Sequence, residues 1–126
     1  MLSLAGLFMA GFAWMLLDTG SSSAAPASIG GGRLGSVLSS SKPVLVEFYA
    51  EWCGPCRMVG PQVDKLAVEL KGRAEVVRLN VDENHALAAQ YDVHSIPCFI
   101  AFKNGKETSR QVGGIPPEVM RSMIGM

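Results

Sequence analysis

The sequence predicts an α/β fold in which helices cover both faces of a central mixed β-sheet. Three observations predict it: apolar strand-length runs flank a long helical pattern, a short helical pattern follows, and an Asn-Gly pair separates the last two strand-like runs. Two strands joined through a helix pair in parallel, whereas two strands joined by a tight turn pair antiparallel. Both connections in one chain give a mixed sheet, and the alternation of helices with strands is typical of the α/β class.

Length and charge exclude several classes of function. With 126 residues, the chain has room for one domain with its own hydrophobic core. Its eleven basic and eleven acidic residues cancel, and no basic stripe indicates nucleic acid as a partner. Three cysteines are too few for a disulfide scaffold.

The N-terminal region is almost uninterruptedly apolar over residues 2–17. This run is shorter than the about 20 residues that a membrane-spanning helix needs, but it fits the hydrophobic region of a signal peptide. We therefore expect residues 1–17 to be a signal peptide or a membrane anchor, with cleavage and retention both open. Residues 18–32, which are small and polar, are expected to be a flexible linker, and residues 33–126 the folded domain.

This start predicts export, to the periplasm or to a membrane-anchored position facing it. The charges favour the opposite orientation for an uncleaved segment, because Arg33 and Lys42 follow the apolar run and no Lys or Arg precedes it. A cytoplasmic location is the alternative.

The elements of the domain follow from periodicity and from turn residues. A short helix is possible at residues 33–40, and residues 44–49 are nearly all apolar, as in a strand covered on both faces. Residues 57–70 carry one apolar helical stripe that ends before Gly72. The remaining predicted elements are a strand at 75–81, a helix at 84–91, a hairpin of strands at 98–103 and 107–112, and a helix at 116–124.

The junction of the first strand and the long helix carries the sequence Trp52-Cys53-Gly54-Pro55-Cys56. Positions i and i+3 of a helical turn share a face, so this spacing brings the two thiols together. A helix N-terminus stabilises an anion, and Cys53 should therefore ionise more easily than a free cysteine. The pattern indicates thiol–disulfide exchange, with Cys53 as the nucleophile and Cys56 as the thiol that resolves the mixed disulfide.

A zinc site is the alternative for two cysteines at this spacing. Structural zinc needs four ligands, and the only further candidates are Cys98, His85 and His94, without a second Cys-x-x-Cys. We therefore expect redox chemistry, with no metal and no bound cofactor.

The segment of residues 50–56 that contains the cysteine pair resembles the active-site segment of the thioredoxin family. Further matches follow in the family's order at residues 78–82, 95–97, 102–105 and 112–114. The resemblance covers roughly residues 33–124. It implies the thioredoxin fold, with the strand that usually opens the family's fold weakened or lost in this chain.

The resemblance implies a protein-disulfide reductase that cycles between dithiol and disulfide at Cys53 and Cys56. Its implied partners are disulfide-containing client proteins and a thiol-donating reductase. A monomer is expected, and membrane association is possible through residues 2–17. The dipeptide Gly54-Pro55 accompanies the reducing members of the family. The alternatives are a thiol oxidase or isomerase of an oxidising compartment, and a non-catalytic docking subunit with the same fold.

The resemblance also implies a client-docking surface. The dipeptide Ile96-Pro97 is similar to the family's cis-proline loop, which faces the cysteine pair and can pair with an extended client chain. Sequence position alone favours a trans proline at the start of a strand. Trp52, Ile96 and Gly113 would form an apolar rim for clients, beside the small turn made by Gly54-Pro55.

Glu47 is the one charged residue in the otherwise apolar first strand. Burial of a carboxylate is costly, so the pKa of Glu47 should be raised. The family has an acid here, normally aspartate, that accepts the proton of the second cysteine. The resemblance assigns that role to Glu47, beneath Cys56, and gives it Arg78 as a partner where the family has lysine. The alternative is a Glu47 that points to solvent at the edge of the sheet.

Cys98 follows the proline, where the family usually has threonine. One interpretation is a small core residue. The other is a thiol near enough to the cysteine pair to be oxidised or glutathionylated.

Overall fold

The computed structural model describes residues 27–126. A 3-10 turn at Gly31–Arg33 leads into the first helix. The elements are α1 (Leu34–Leu38), β1 (Val44–Tyr49), α2 (Gly54–Glu69), β2 (Glu75–Asn80), α3 (His85–Gln90), β3 (Cys98–Lys103), β4 (Lys106–Val112) and α4 (Pro117–Met123). Each lies close to its predicted position. The largest difference is the start of α2, which begins before residue 57 because Cys53 caps it.

The four strands form one mixed sheet in the order β2-β1-β3-β4. The helix-linked strands β1 and β2 run parallel, while β3 pairs antiparallel with β1 and with β4. Between β3 and β4, Asn104 and Gly105 have φ angles of 52° and 78°, as a two-residue hairpin turn requires. The predicted mixed sheet and its hairpin are confirmed.

The sheet divides the core into two layers, because successive strand residues point to opposite faces. Leu45 packs in the layer beneath α2 and α4, which we call the α2 layer, whereas Val46 packs in the layer beneath α1 and α3, the α1 layer. Helices therefore cover both faces, as predicted. Glu47 is two residues beyond Leu45 and points into the α2 layer.

Residues 27–29 differ from the flexible linker that the sequence predicted over residues 18–32. Ala27 is buried in the α2 layer, and Ser28 forms a parallel bridge with Arg78 of β2. The Arg78 N–H donates to the Ala27 carbonyl oxygen at 2.7 Å, and the Ile29 N–H donates to the Arg78 carbonyl oxygen at 3.0 Å. Residues 27–29, which we call the edge segment, pair here because β2 ends the sheet and its outer backbone groups need partners.

The helices described between residues 34 and 123 include none that is long and apolar enough to cross a membrane. The expected signal peptide or anchor at residues 1–17 lies outside the described residues, as does the expected linker up to residue 26. Cleavage, anchoring and localisation therefore stay predictions from the sequence.

Candidate active site

The cysteine pair lies where β1 passes into α2. Cys53 is the N-cap of α2, with extended backbone angles (φ −83°, ψ 114°), and its Sγ accepts a hydrogen bond from the Cys56 N–H at 3.3 Å. A disulfide joins the two residues, whose Cα atoms are 5.2 Å apart. Cys56 is fully buried and Cys53 is 5% exposed. Of the two residues, only Cys53 keeps any exposed area, in agreement with the more exposed position that the sequence predicted for it.

The first turn of α2 is suited to a negatively charged sulfur. Its backbone N–H groups have no carbonyl partner within the helix, and the helix dipole is positive at this end. The turn carries no acidic side chain that would oppose a thiolate. Gly54 and Pro55 are both exposed and place little bulk beside Cys53. A thiolate on Cys53 would thus be stabilised chiefly by the Cys56 N–H and by the helix end.

The loop before β3 lies against the cysteine pair. The Ile96–Pro97 peptide is cis, as the resemblance implied. The Ile96 carbonyl oxygen lies 3.8 Å from the Cys53 Sγ, and the Gly113 N–H donates to the Pro97 carbonyl oxygen at 2.8 Å. The structure therefore brings Ile96 next to Cys53 and joins Gly113 to Pro97 of the same loop.

Trp52 is held beside the cysteines and is largely open to solvent. Its side chain is 71% exposed, and its Nε1–H donates to Asp82 Oδ2 at 2.8 Å. A shallow depression of about 310 Å³ connects Trp52 with Ile96. It is also lined by Val81, Ala88, Ala89, Val93 and two histidines, His85 and His94. Sequence reasoning weighed these histidines only as zinc ligands, and it did not predict the contact between Asp82 and Trp52.

Glu47 is completely buried in the centre of the sheet. Its Oε2 accepts a hydrogen bond from Arg78 Nε at 2.6 Å, while its Oε1 has no hydrogen-bond partner within residues 27–126. Burial raises the pKa of Glu47 to about 7, although the positive charge of Arg78 opposes that rise. The predicted burial of Glu47 and its pairing with Arg78 are confirmed, the direction of its pKa agrees with the prediction, and the solvent-edge alternative is wrong.

The Arg78 guanidinium is enclosed by groups from two elements, β1 and α2. It lies 4.0 Å above the centre of the Tyr49 ring, and its Nη1 lies 3.9 Å from Asp64 Oδ2 of α2. A Cβ atom at Gly60 would lie 2.9 Å from Nη2, so a larger residue there would displace the end of the Arg78 side chain. These groups border a cleft of about 700 Å³, which we call the Arg78 cleft. Its other lining residues include Ser28, Glu51, Arg57, Asn80 and Glu83.

Sequence reasoning missed Asp64, although its spacing could have drawn attention to it. Cys56, Gly60 and Asp64 are four residues apart along α2 and therefore share one helix face. That face looks towards the strand that carries Arg78. Asp64 is half-buried and also accepts a hydrogen bond from the Ala27 N–H at 3.3 Å.

Cys98 lies in the α1 layer, apart from the cluster that contains the cysteine pair. It is buried, and burial raises the pKa of its thiol. This environment fits the core-residue interpretation and disfavours reaction as a thiolate. Cys98, His85 and His94 do not assemble around the cysteine pair, and within residues 27–126 no three His, Cys, Asp or Glu side chains are grouped to hold a metal ion.

Comparison with known proteins gives a consistent result. The thioredoxin family model matches residues 35–125. A thioredoxin from Synechocystis sp. is 47% identical over 88 residues, which cover 70% of this chain and 82% of that protein. A thioredoxin from Nostoc sp. is 50% identical over the same shares of the two chains. Among solved structures, a mutant thioredoxin from Halobacterium salinarum superimposes with a TM-score of 0.70 at 35% identity, covering 80% of this chain and 91% of that one.

Proposed function

Since the chain belongs to the thioredoxin family and is a thiol–disulfide oxidoreductase that reduces protein disulfides, we propose that Cys53 attacks the client and Cys56 resolves the product. The observation that carries this assignment is the position of the pair at the start of α2. Cys53 keeps some exposed area and accepts a hydrogen bond from the helix, whereas Cys56 is sealed in the core. A client disulfide therefore meets Cys53 first.

The reaction consists of two successive thiol–disulfide exchanges. The Cys53 thiolate attacks one sulfur of a client disulfide, so that a Cys53–client bond forms and the client's other sulfur leaves as a thiolate. Cys56 then loses its proton and attacks the Cys53 sulfur, which forms the Cys53–Cys56 disulfide and releases the client's second thiolate. Two electrons pass to the client, and protons taken up by its thiolates complete the two thiols. A thiol-donating reductase restores the dithiol.

Glu47 is the group that we propose takes the proton of Cys56. It points into the α2 layer from β1, and its free Oε1 can accept a proton without breaking the Arg78 hydrogen bond. A pKa of about 7 suits a group that both takes and releases a proton near neutral pH. Replacement of Glu47 by Gln should slow insulin reduction by at least about tenfold near neutrality, while Glu51→Gln, at an exposed position, should not.

Clients are proposed to dock on the surface that surrounds Cys53. Trp52 and Ile96 offer apolar contacts, and Gly113 and Gly54-Pro55 leave the approach open. The backbone of Ile96, next to the cis-proline, is the proposed partner of an extended client segment.

Trapping of clients tests the roles of the two cysteines. Cys56→Ser should accumulate mixed disulfides with reducible client proteins, because the second exchange is blocked. Cys53→Ser should trap none, because the remaining sulfur is buried. Mass spectrometry measures the amount of client adduct on each variant. Equal trapping by both variants would refute the assignment of Cys53 as nucleophile and Cys56 as resolving thiol.

Export is proposed on the strength of the apolar run at residues 2–17. An exported reductase would receive its electrons from a membrane thiol carrier, because nicotinamide-dependent reductases are cytoplasmic. Alkaline phosphatase fused after Met126 should be active, and deletion of residues 2–17 should abolish that activity. An inactive fusion of the full chain, with an active cytoplasmic reporter at the same site, would favour the cytoplasmic alternative.

A further inference from the structure

Two carboxyl groups approach the same guanidinium in the α2 layer. Arg78 and Glu47 are direct partners across β2 and β1, and their side chains meet through Arg78 Nε and Glu47 Oε2 at 2.6 Å. From the other side, Asp64 of α2 places its Oδ2 3.9 Å from Arg78 Nη1. The guanidinium therefore lies between a fully buried carboxyl group and a half-buried one.

The guanidinium also contacts Tyr49 and the α2 backbone at Gly60. The Tyr49 ring lies below it at 4.0 Å, and Gly60 of α2 approaches so closely that a Cβ there would lie 2.9 Å from Nη2. Asp64 has a further contact, since its Oδ1 accepts a hydrogen bond from the Ala27 N–H. A turn of Arg78 wholly towards Glu47 would give up its contacts with Tyr49 and Asp64.

The two carboxyl groups, Asp64 and Glu47, lie in different environments. A guanidinium stays protonated throughout the working pH range, so only carboxyl groups can change charge here. Asp64 borders the open Arg78 cleft, whereas Glu47 is sealed beneath it, and burial disfavours charge on Glu47. The other titratable groups that line the cleft are Tyr49, Glu51, Arg57 and Glu83.

We propose that Asp64 is a positioning residue that shares the Arg78 guanidinium with Glu47 and so prevents Arg78 from holding Glu47 permanently as a paired carboxylate. This inference rests on the proposed role of Glu47 as the proton acceptor of Cys56. Without Asp64, the whole attraction of Arg78 falls on Glu47. A carboxyl group held in that way is a weaker base and takes a proton from Cys56 less readily.

The effect has a definite direction in pH. The negative charge of Asp64 raises the pKa of Glu47, in addition to the larger effect of burial. Neutralising Asp64 should therefore lower the pH at which Glu47 titrates. The pH dependence of client reduction should move in the same direction.

The titration of Glu47 itself provides the test, read from its side-chain carboxyl ¹³C chemical shift in the full disulfide-bonded chain. Asp64→Asn keeps an oxygen for the Ala27 N–H while removing the charge, and Asp64→Ser is a second neutral variant should the first fold poorly. Both should lower the Glu47 midpoint. Glu83→Gln removes an exposed charge from the same cleft and should leave it unchanged.

Two failures can be told apart, because this readout does not depend on activity. An unmoved Glu47 midpoint in both Asp64 variants, together with a slow Glu47→Gln variant, would overturn the role of Asp64 alone. A Glu47→Gln variant of full activity would overturn the proton-acceptor role, and the inference with it.

Discussion

The stability of the protein should depend on pH through Glu47. Burial raises the pKa of Glu47 from 4.5 to about 7 in the folded protein. The folded protein therefore keeps a proton that the unfolded chain loses at lower pH. The contribution of this retained proton to stability is fully present below about pH 4.5, falls as the pH rises, and is lost once the pH has passed through about 7.

Glu47→Gln removes the titrating carboxyl group and should therefore remove the loss of stability that this group causes at high pH. At about pH 4 the variant and the parent should be similarly stable, whereas at about pH 8 the variant should be more stable by about 2–3 kcal/mol. Urea unfolding of the disulfide-bonded proteins measures the difference without interference from cysteine titration. Glu51→Gln is the control and should follow the parent at both pH values. An advantage that does not grow with pH would contradict the buried, proton-retaining state of Glu47.

Trp52 is expected to act in client binding and not in the exchange of sulfur bonds. Its ring is 71% exposed and lies beside the depression that it shares with Ile96. Trp52→Ala should raise KM for insulin by about tenfold, as expected for loss of an aromatic contact at an interface. The rate with a small aromatic disulfide should change little. Val68→Ala, at an exposed apolar position on α2, should alter neither rate.

Single residues differ in how well the sequence reveals their roles. The cysteine pair was predictable from spacing, and Glu47 was predictable because a charge in an apolar strand demands an explanation. The spacing of Asp64 from Cys56 and Gly60 places it on their helix face but does not reveal its partner, since a charged residue beside an apolar helical stripe usually faces solvent. Its contact with Arg78 depends on the packing of α2 over β2, which the sequence does not specify by itself.

At the scale of elements, the edge segment joins the N-terminal region to the active-site side of the sheet. Ala27 is 1% exposed, and its carbonyl oxygen accepts the Arg78 N–H. A variant that begins at Ser28 loses both the buried methyl group and this hydrogen bond, whereas one that begins at Ala27 keeps them. The shorter variant should be less stable by about 2 kcal/mol. Urea unfolding of the pair measures this, and equal stability would show that Ala27 contributes nothing.

The strands and α2 were predicted well because their patterns are strong. Residues 44–49 are apolar on both faces, and Asn104-Gly105 has the backbone freedom that its turn requires. The edge segment was missed because Ala27 and Ser28 are small and show no hydrophobic periodicity. Their pairing depends instead on the open edge of β2. Tertiary context overrode local composition there.

At the scale of the whole molecule, the fold brings distant segments to one end of the sheet. The start of α2, the loop before β3 and the turn after β4 meet around Cys53. Spacing alone predicted the thiol pair, but the convergence of Ile96, Pro97 and Gly113 was implied only by resemblance to a family. Such contacts join residues far apart in sequence, and only the assembled sheet determines them.

The most direct test of the central claim, that this chain reduces protein disulfides, is the reduction potential of the Cys53–Cys56 couple. The full chain is equilibrated with defined thiol–disulfide buffers, and the oxidised fraction is read by mass spectrometry after alkylation. Cys98→Ser serves as the control and should give the same value, because Cys98 is buried away from the pair. A potential near about −270 mV, the level of a strong reductant, is predicted. A potential near about −120 mV would identify an oxidant and contradict the account.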